Sequence, residues 1–397
     1  MFPQKLSLLN RPLYTRFFVS SRRCFITFAP LREKEKPKIT KLEEAHRFII
    51  DCFVAVGTTE KHAEIMADNL TEADLRGHYS HGMNRLEMYL NEIDKGLIDA
   101  NAKPQIEKES PSTAVVNGNN GLGAVNGNYC MNLAIKKASK TGAALVVCRN
   151  SNHYGIAAIY CLRAIRKGFL GFSCTNTSPL MVPTRAKNAA LGTNPIAIGV
   201  PGEDKSDYFL LDFASTNVAI GKIELMGRKG GKIPKGWALN EQGQVETDPH
   251  KAFKASRLLP LGGEEKDGGY KGYGLGMLVE IFCGILSGSA YGPTIRPWGN
   301  PTVVANLGHC FLVVNPRMFT PGVKKRMSHL MNLIRKMEPA DPKRPVMVHG
   351  DFERVHMMQV SKDGGVRYVK NQHDANKKLA ERLDVEPMQS FIKDGKC

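Results

Sequence analysis

The hydrophobic period of this chain switches near residue 110, and that switch limits the fold more than any other feature. Before it, apolar residues recur at helical spacing. Thr40 with Glu43 reads as a capping box ahead of Leu42, Phe48, Ile49 and Phe53. Thr58 or Thr59 opens a second helix with Ile65, Met66 and Leu70, which Gly77 interrupts. A third carries Leu86, Leu90 and Ile93 on one stripe and stops at Gly96. After the switch come short β-rich runs at 113–117, 145–149, 171–175, 196–200 and 209–213, with helical stretches around 125–140 and 155–167 between them. The expected fold class is therefore α/β (α+β): a helical domain beside a layered α/β domain.

The rest of the chain extends this pattern. A Pro/Gly-rich hinge occupies roughly 230–270, and the run 274–286 is apolar nearly all round, which predicts a buried central helix. It is too short, and too interrupted by Glu280, to span a bilayer. A strand at 310–314 and an amphipathic helix with Val323, Met327, Leu330, Met331 and Ile334 follow. The last thirty residues are polar and read as a mobile or partner-contacting tail.

The formal net charge is +17. Residues 1–30 hold Lys5, Arg11, Arg16, Arg22 and Arg23 and no acid, with no uninterrupted apolar core, which fits a mitochondrial transit peptide better than a secretory signal. The alternative address is cytoplasmic. The remaining charge is scattered and lacks an aromatic-studded basic stripe, so it favours anionic small molecules over nucleic acid. The nine cysteines are dispersed without metal-ligand spacing and read as structural thiols. No metal is expected.

Four polar clusters could carry chemistry. In 76–85, Arg85 offers a planar fork for a carboxylate, His81 can move a proton near neutral pH, and Ser80 supplies a hydroxyl. A helix starting at the glycine would bring them to one face; the bland alternative is a solvated helix entry. In 149–155, His153 follows an apolar strand as a candidate acid/base, with Asn150 and Asn152 able to hold backbone or ring nitrogens; a helix-capping histidine reads equally well. The loops 175–179 and 211–216 end strands and are rich in donors. Asp212 there fits a carboxylate that orients a histidine or one that caps a helix.

Glycine-rich stretches argue against a Rossmann domain. Gly121-x-Gly123-x-x-x-Gly127 places its third glycine one position late, and Arg149 closes the next strand where an acid is expected, though an arginine could suit a 2′-phosphate. Gly272, Gly274 and Gly276 precede no suitable strand, and neither a phosphate-binding P-loop nor a nucleophile elbow is present.

Six ordered segments resemble the malate/L-lactate dehydrogenase family, which includes ureidoglycolate, sulfolactate and diketogulonate oxidoreductases. They are DLRGHYSHGMNRLEMY (74–89), RNSNHYG (149–155), LGTNPIAIGVP (191–201), LLDFASTNVAIGKI (210–223), IPKGWALN (233–240) and YKGYGLGMLVEIFCGILSG (270–288). The resemblance implies a non-Rossmann dinucleotide-binding fold. Its parts would be a helical domain (39–110, completed by 263–355) and an inserted mixed α/β cofactor-binding domain (111–262); the transit peptide and linker (1–38) and the polar tail (356–397) lie outside the resemblance. It also implies a homodimer, no membrane, and hydride transfer between NAD (or NADP) and C2 of a small 2-hydroxy/2-oxo acid of malate or lactate type. By position, His153 resembles the family's proton carrier, with Ser80, His81 and Arg85 on the substrate and Asp212 fixing a histidine tautomer or a cofactor group. Thr177, Leu211, Asp212, Phe213, Leu261 and Gly262 resemble cofactor contacts. A reductase of cyclic imino acids, a ureidoglycolate-type enzyme and a non-catalytic cofactor-binding homologue are the alternatives.

Overall fold

Alternating burial along the β-rich runs, such as the exposed-buried-intermediate-buried pattern of 113–116, makes them pair into one mixed sheet. The computed structural model describes residues 38–228, 230–299 and 302–392. The targeting segment expected at the N-terminus thus lies outside the described residues, save Lys38. Strand β1 (Lys38–Thr40) leads into α1 (Leu42–Ala55), α2 (Glu60–Leu75) and α3 (Leu86–Asp94). Next come β2 (Gln105–Glu109), β3 (Thr113–Asn117), α4 (Gly123–Thr141), β4 (Ala143–Ser151), α5 (Ala158–Arg166), β5 (Leu170–Thr175), β6 (Ile196–Pro201) and β7 (Tyr208–Phe213). α6 (Ile220–Arg228) follows, and the region expected as a hinge instead folds into β8 (Ala238–Leu239), β9 (Val245–Glu246), α7 (Pro249–Ala255) and β10 (Arg257–Leu258), the three strands forming a small sheet. The chain ends with α8 (Gly269–Glu280), β11 (Leu307–Val314), α9 (Val323–Arg335), α10 (Asp351–Asp363), β12 (Val366–Arg367), α11 (Lys370–Leu383) and β13 (Phe391–Ile392).

The seven-stranded sheet has the order β2-β3-β4-β11-β5-β6-β7. β3 and β4 run parallel and every other neighbouring pair antiparallel. A Rossmann domain needs a doubly wound parallel sheet, so the non-Rossmann expectation holds. Helices α4 and α5 cover one face, with Met131, Ala134, Tyr160 and Ile165 against Val116, Val146, Phe311 and Val313. On the other face Val279 and Cys283 meet Val147, Cys174, Ile196 and Cys310.

Four expectations need correcting. Thr40 does not cap α1: it pairs with Val366 in the β1–β12 ladder, and Lys41 takes the cap position without a side-chain bond. The helix 274–286 is not buried all round. Its inner face packs on the sheet, but Met277, Leu278, Ile281, Ile285 and Leu286 are exposed, a sheet being able to cover one face of a helix only. Residues 356–392 are not a loose tail, since Val360, Val366, Tyr368 and Leu379 join Phe48, Phe53, Met66 and Leu70 in the helical core. The α/β layer also does not close at 262, because β11 is its central strand.

Candidate active site

The turn after α2 is shaped by a buried carboxylate. Asp74 Oδ2 accepts the Met83 amide at 2.9 Å and the Tyr368 hydroxyl at 2.7 Å. A Cβ on Gly82 would lie 1.9 Å from Asp74 Oδ1, so only glycine fits there. The chain therefore forms two short 3₁₀ turns, Tyr79–His81 and Met83–Arg85, instead of the single helix expected from Gly77. Burial pushes the Asp74 carboxyl up to about 7, against the two bonds it accepts.

The second element is the end of β4. Asn150 sits at a positive φ of 51° and its amide donates to Asn306 Oδ1, while the Asn152 side chain donates to the carbonyls of Asn120 and Gly121. Asn152 thus holds backbone, while the Asn150 side chain donates to Asn117 Oδ1 at 3.2 Å, and together they fix the loop that presents His153. Gly123 belongs to the same device: a Cβ there would stand 2.3 Å from the His153 carbonyl. That glycine lets α4 begin against the histidine loop. Gly127 makes room for the Tyr160 ring in the same way, so the 121–127 glycines serve packing and not phosphate. Arg149 is engaged by Glu107 at 2.7 Å.

These two elements bring Ser80, His81, Arg85 and His153 together. The His81 and His153 rings stack at 5.7 Å, and Ser80 Oγ lies 2.9 Å from His81 Nδ1. His153 Nδ1 is 2.6 Å from Tyr89 Oη. The Arg85 guanidinium lies over the Trp298 ring at 5.1 Å, and that ring is 6.5 Å from His153. Around them is a cavity of about 350 Å³ lined by Arg85, His153, Thr177, Ser178, Arg296 and Trp298.

The site is desolvated and cationic. Burial, then the neighbouring Arg85 and His78, push His81 down to about 4. His153 is held well below the usual histidine range by burial, with His81, Arg85 and His309 adding to it. Burial also lowers Arg85, whose Nε is buried without a partner among the described residues. Three groups that resist or lack compensation around one cavity mark a place for an anion.

The expected cofactor residues form an adjoining track. Thr177 lines the cavity and its hydroxyl accepts the Thr193 amide at 3.0 Å. The Ser215 amide donates to Thr193 O, and the Leu261 amide to Ser215 O. Gly262, at φ 97°, and Gly263 make the tight turn that follows. Leu211 and Phe213 lie on β7 at the sheet edge beside this track. Asp212 is the exception: its Oδ2 accepts the Ala158 amide at 2.9 Å, and no hydrogen bond joins it to His81 or His153. It caps α5, and burial raises its carboxyl to about 6. Among the described residues no group of His, Cys, Asp and Glu is placed to hold a metal, and no helix is long and apolar enough to cross a membrane.

The family profile described as malate/L-lactate dehydrogenase matches residues 40–375. The chain belongs to this family. It is 40% identical over 358 residues to a malate dehydrogenase of Pyrococcus abyssi, covering 87% of this chain and 95% of that protein. It is 37% identical to an L-sulfolactate dehydrogenase of Methanocaldococcus jannaschii, covering 87% and 98%. The solved malate dehydrogenase of Pyrococcus horikoshii superposes with a TM-score of 0.82 at 36% identity, over 91% of this chain and 100% of that one. The chain is accordingly an oxidoreductase acting on a CH–OH group, and its family supports 2-hydroxy acid dehydrogenation with a nicotinamide cofactor.

Tyr89 and Trp298 were not singled out from sequence. Tyr89 had a usable signal, standing four residues after Arg85 and eight after His81, one face of a helix. Trp298 had none, since it arrives from a loop more than two hundred residues away.

Proposed function

We propose that this protein oxidises and re-reduces a small 2-hydroxy/2-oxo acid of the malate type, with Arg85 gripping the carboxylate and His153 moving the hydroxyl proton. The observation that supports this most is a guanidinium with an unpartnered Nε, that of Arg85, and a histidine lining one cavity, with that histidine braced by Tyr89. Arg85, with its buried unpartnered Nε, suits a planar carboxylate. Tyr89 engages His153 Nδ1, so Nε2 is the nitrogen left for substrate. The Gly155 amide also approaches Nδ1, at 3.4 Å; in the tautomer that instead directs Nδ1–H to the phenol oxygen at 2.6 Å, Nε2 keeps its lone pair and can take the proton of a hydroxyl. His81, held by Ser80, stacks beside it and orients the oxygen.

The donor set fits a dinucleotide. The Thr177 and Thr193 hydroxyls adjoin the cavity, and a Cβ on Gly221, in the first turn of α6, would meet no heavy atom within 4 Å among the described residues. The Thr177 and Thr193 hydroxyls and the open space at Gly221 suit ribose and phosphate groups. When bound, the nicotinamide supplies or accepts the hydride. Leu211, Phe213, Leu261 and Gly262 would flank it; Asp212 acts through the α5 terminus.

The malate- and sulfolactate-named relatives favour a substrate with a second acid group. Lys95 and Arg296 stand on the cavity wall, where Arg296 is paired with Glu92 at 2.6 Å. A panel of 2-oxo acids and cyclic imines with NADH and NADPH tests the reading. Turnover with imines alone would move it to the imino acid class, and binding without any turnover would make the protein a non-catalytic homologue.

Two further parts of the reading concern assembly and address. The exposed apolar face at Met277, Ile281 and Ile285 is of the kind a homodimer covers, and light scattering at monomer mass would refute a dimer. The acid-free N-terminus favours mitochondrial import with removal of about 35 residues. A mature protein starting at Met1 would refute that.

A further inference from the structure

We propose that Trp298 is a positioning and size-selecting residue of the substrate cavity, backing the Arg85 guanidinium and forming the wall met by the C3 substituent. The inference rests on the dehydrogenase reading above. Its geometry is an indole that touches both working groups: 5.1 Å from the ring to Arg85 and 6.5 Å between the rings of Trp298 and His153. A guanidinium with an aromatic face against it keeps its charge while losing freedom to swing, and an arginine held this way is attracted without being neutralised. Arg85 has no carboxylate partner in its hydrogen bonds among the described residues, so the indole is the contact that sets where the fork points.

The substrate's tetrahedral carbon assigns the rest. C2 of a 2-hydroxy acid has four substituents. The carboxylate goes to Arg85, the oxygen to His153, and the hydrogen toward the cofactor side marked by Thr177. C3 takes the remaining direction, where the described lining includes Trp298 and Arg296. Arg296 is itself fixed, donating to Glu92 at 2.6 Å and to the Val303 carbonyl at 2.9 Å. The loop that carries Trp298 is therefore tied down two residues before the indole. Trp298 is 41% exposed, so it lines the cavity and also meets solvent.

The test uses Trp298→Ala and Trp298→Phe in the full-length enzyme. With pyruvate, oxaloacetate and phenylpyruvate as 2-oxo acids, Trp298→Ala should raise KM for the small acids at least tenfold and leave cofactor affinity unchanged. It should also shift kcat/KM at least tenfold toward phenylpyruvate. Trp298→Phe, which keeps an aromatic face, should restore most of the KM. Loop anchoring alone would instead lower all substrates equally, or lower cofactor affinity too, and would overturn the proposal. So would an unchanged KM.

The chain has two tryptophans, so emission gives a readout independent of turnover. Adding oxamate, a non-reacting 2-oxo acid mimic, with the cofactor should change wild-type emission, and Trp298→Phe should lose that change. An emission change without turnover on any 2-hydroxy acid would sink the dehydrogenase reading while keeping Trp298 at the cavity. Turnover with emission and KM indifferent to Trp298 would sink this inference alone.

Discussion

The Tyr89 hydroxyl lies 2.6 Å from Nδ1 of His153, and it links the helix that follows Arg85 to the loop that ends β4. Burial raises the Tyr89 phenol well above its ordinary pKa, so it stays protonated and bridges without adding charge. Tyr89→Phe should lower kcat about tenfold, the usual scale for losing a partner that orients a catalytic ring. Cofactor affinity should not move. An unchanged kcat would mean that packing alone orients the ring.

Arg85→Lys should raise the substrate KM strongly while leaving the cofactor dissociation constant nearly fixed. Lysine keeps the charge but loses the planar fork, a loss of about 1.5–3 kcal/mol, or roughly 10- to 150-fold. Steady-state kinetics with separate cofactor titration measures it. An equal loss of cofactor binding would place Arg85 on the dinucleotide.

Binding of an anion should be accompanied by proton uptake. Arg85 contributes to holding His81 and His153 below the usual histidine range, so a carboxylate that offsets its charge raises both. Oxamate affinity should therefore strengthen as pH falls from about 7 toward about 4, where His81 of the free protein takes up its proton. A pH indicator in weak buffer reads the uptake directly. Proton release, or an affinity flat over that range, would contradict the account.

Asp74 makes a stability prediction of opposite sign to a paired carboxylate. Its folded carboxyl is raised to about 7, while an unfolded one ionises near pH ~4. Between those values the unfolded state has lost the proton that the folded state keeps, so wild-type stability falls as pH rises through the window. Asp74→Asn has no such proton to lose. Its Tm relative to wild type should climb from pH 4 to 7 and level off above, as measured by thermal melts. A constant Tm difference would show that Asp74 is ionised in the fold.

Much of this was legible in the sequence because local pattern and local function coincide there. The five β-rich runs lie within strands, each being a short apolar stretch whose character is local to it. Ser80, His81, Arg85 and His153 could be named because they cluster between glycines or at a strand end. What stayed hidden depends on distant partners. Thr40 has the sequence of a helix cap, yet Val366 recruits it into a strand. The helix at 274–286 reads as buried because hydropathy cannot say that a sheet will cover one face and leave the other. Asp212 was balanced between orienting a histidine and capping a helix, and the fold decided by bringing the α5 terminus to it. The glycines at 121–127 match a phosphate loop poorly in sequence, but their packing role shows only when the His153 carbonyl and the Tyr160 ring are seen against them.

The central claim is that His153 carries the proton over a carboxylate held by Arg85, and a comparison of pH profiles tests it most directly. Oxidation of the 2-hydroxy acid should rise with pH as a histidine loses its proton, since the base must be neutral. In the free enzyme that limb should fall below the ordinary histidine range, because burial holds His153 down. His153→Asn should lower kcat 10²–10⁴-fold and abolish the limb, while His81→Asn should keep it. If the limb instead survives in His153→Asn and vanishes in His81→Asn, the proton belongs to His81 and the account is wrong at its centre.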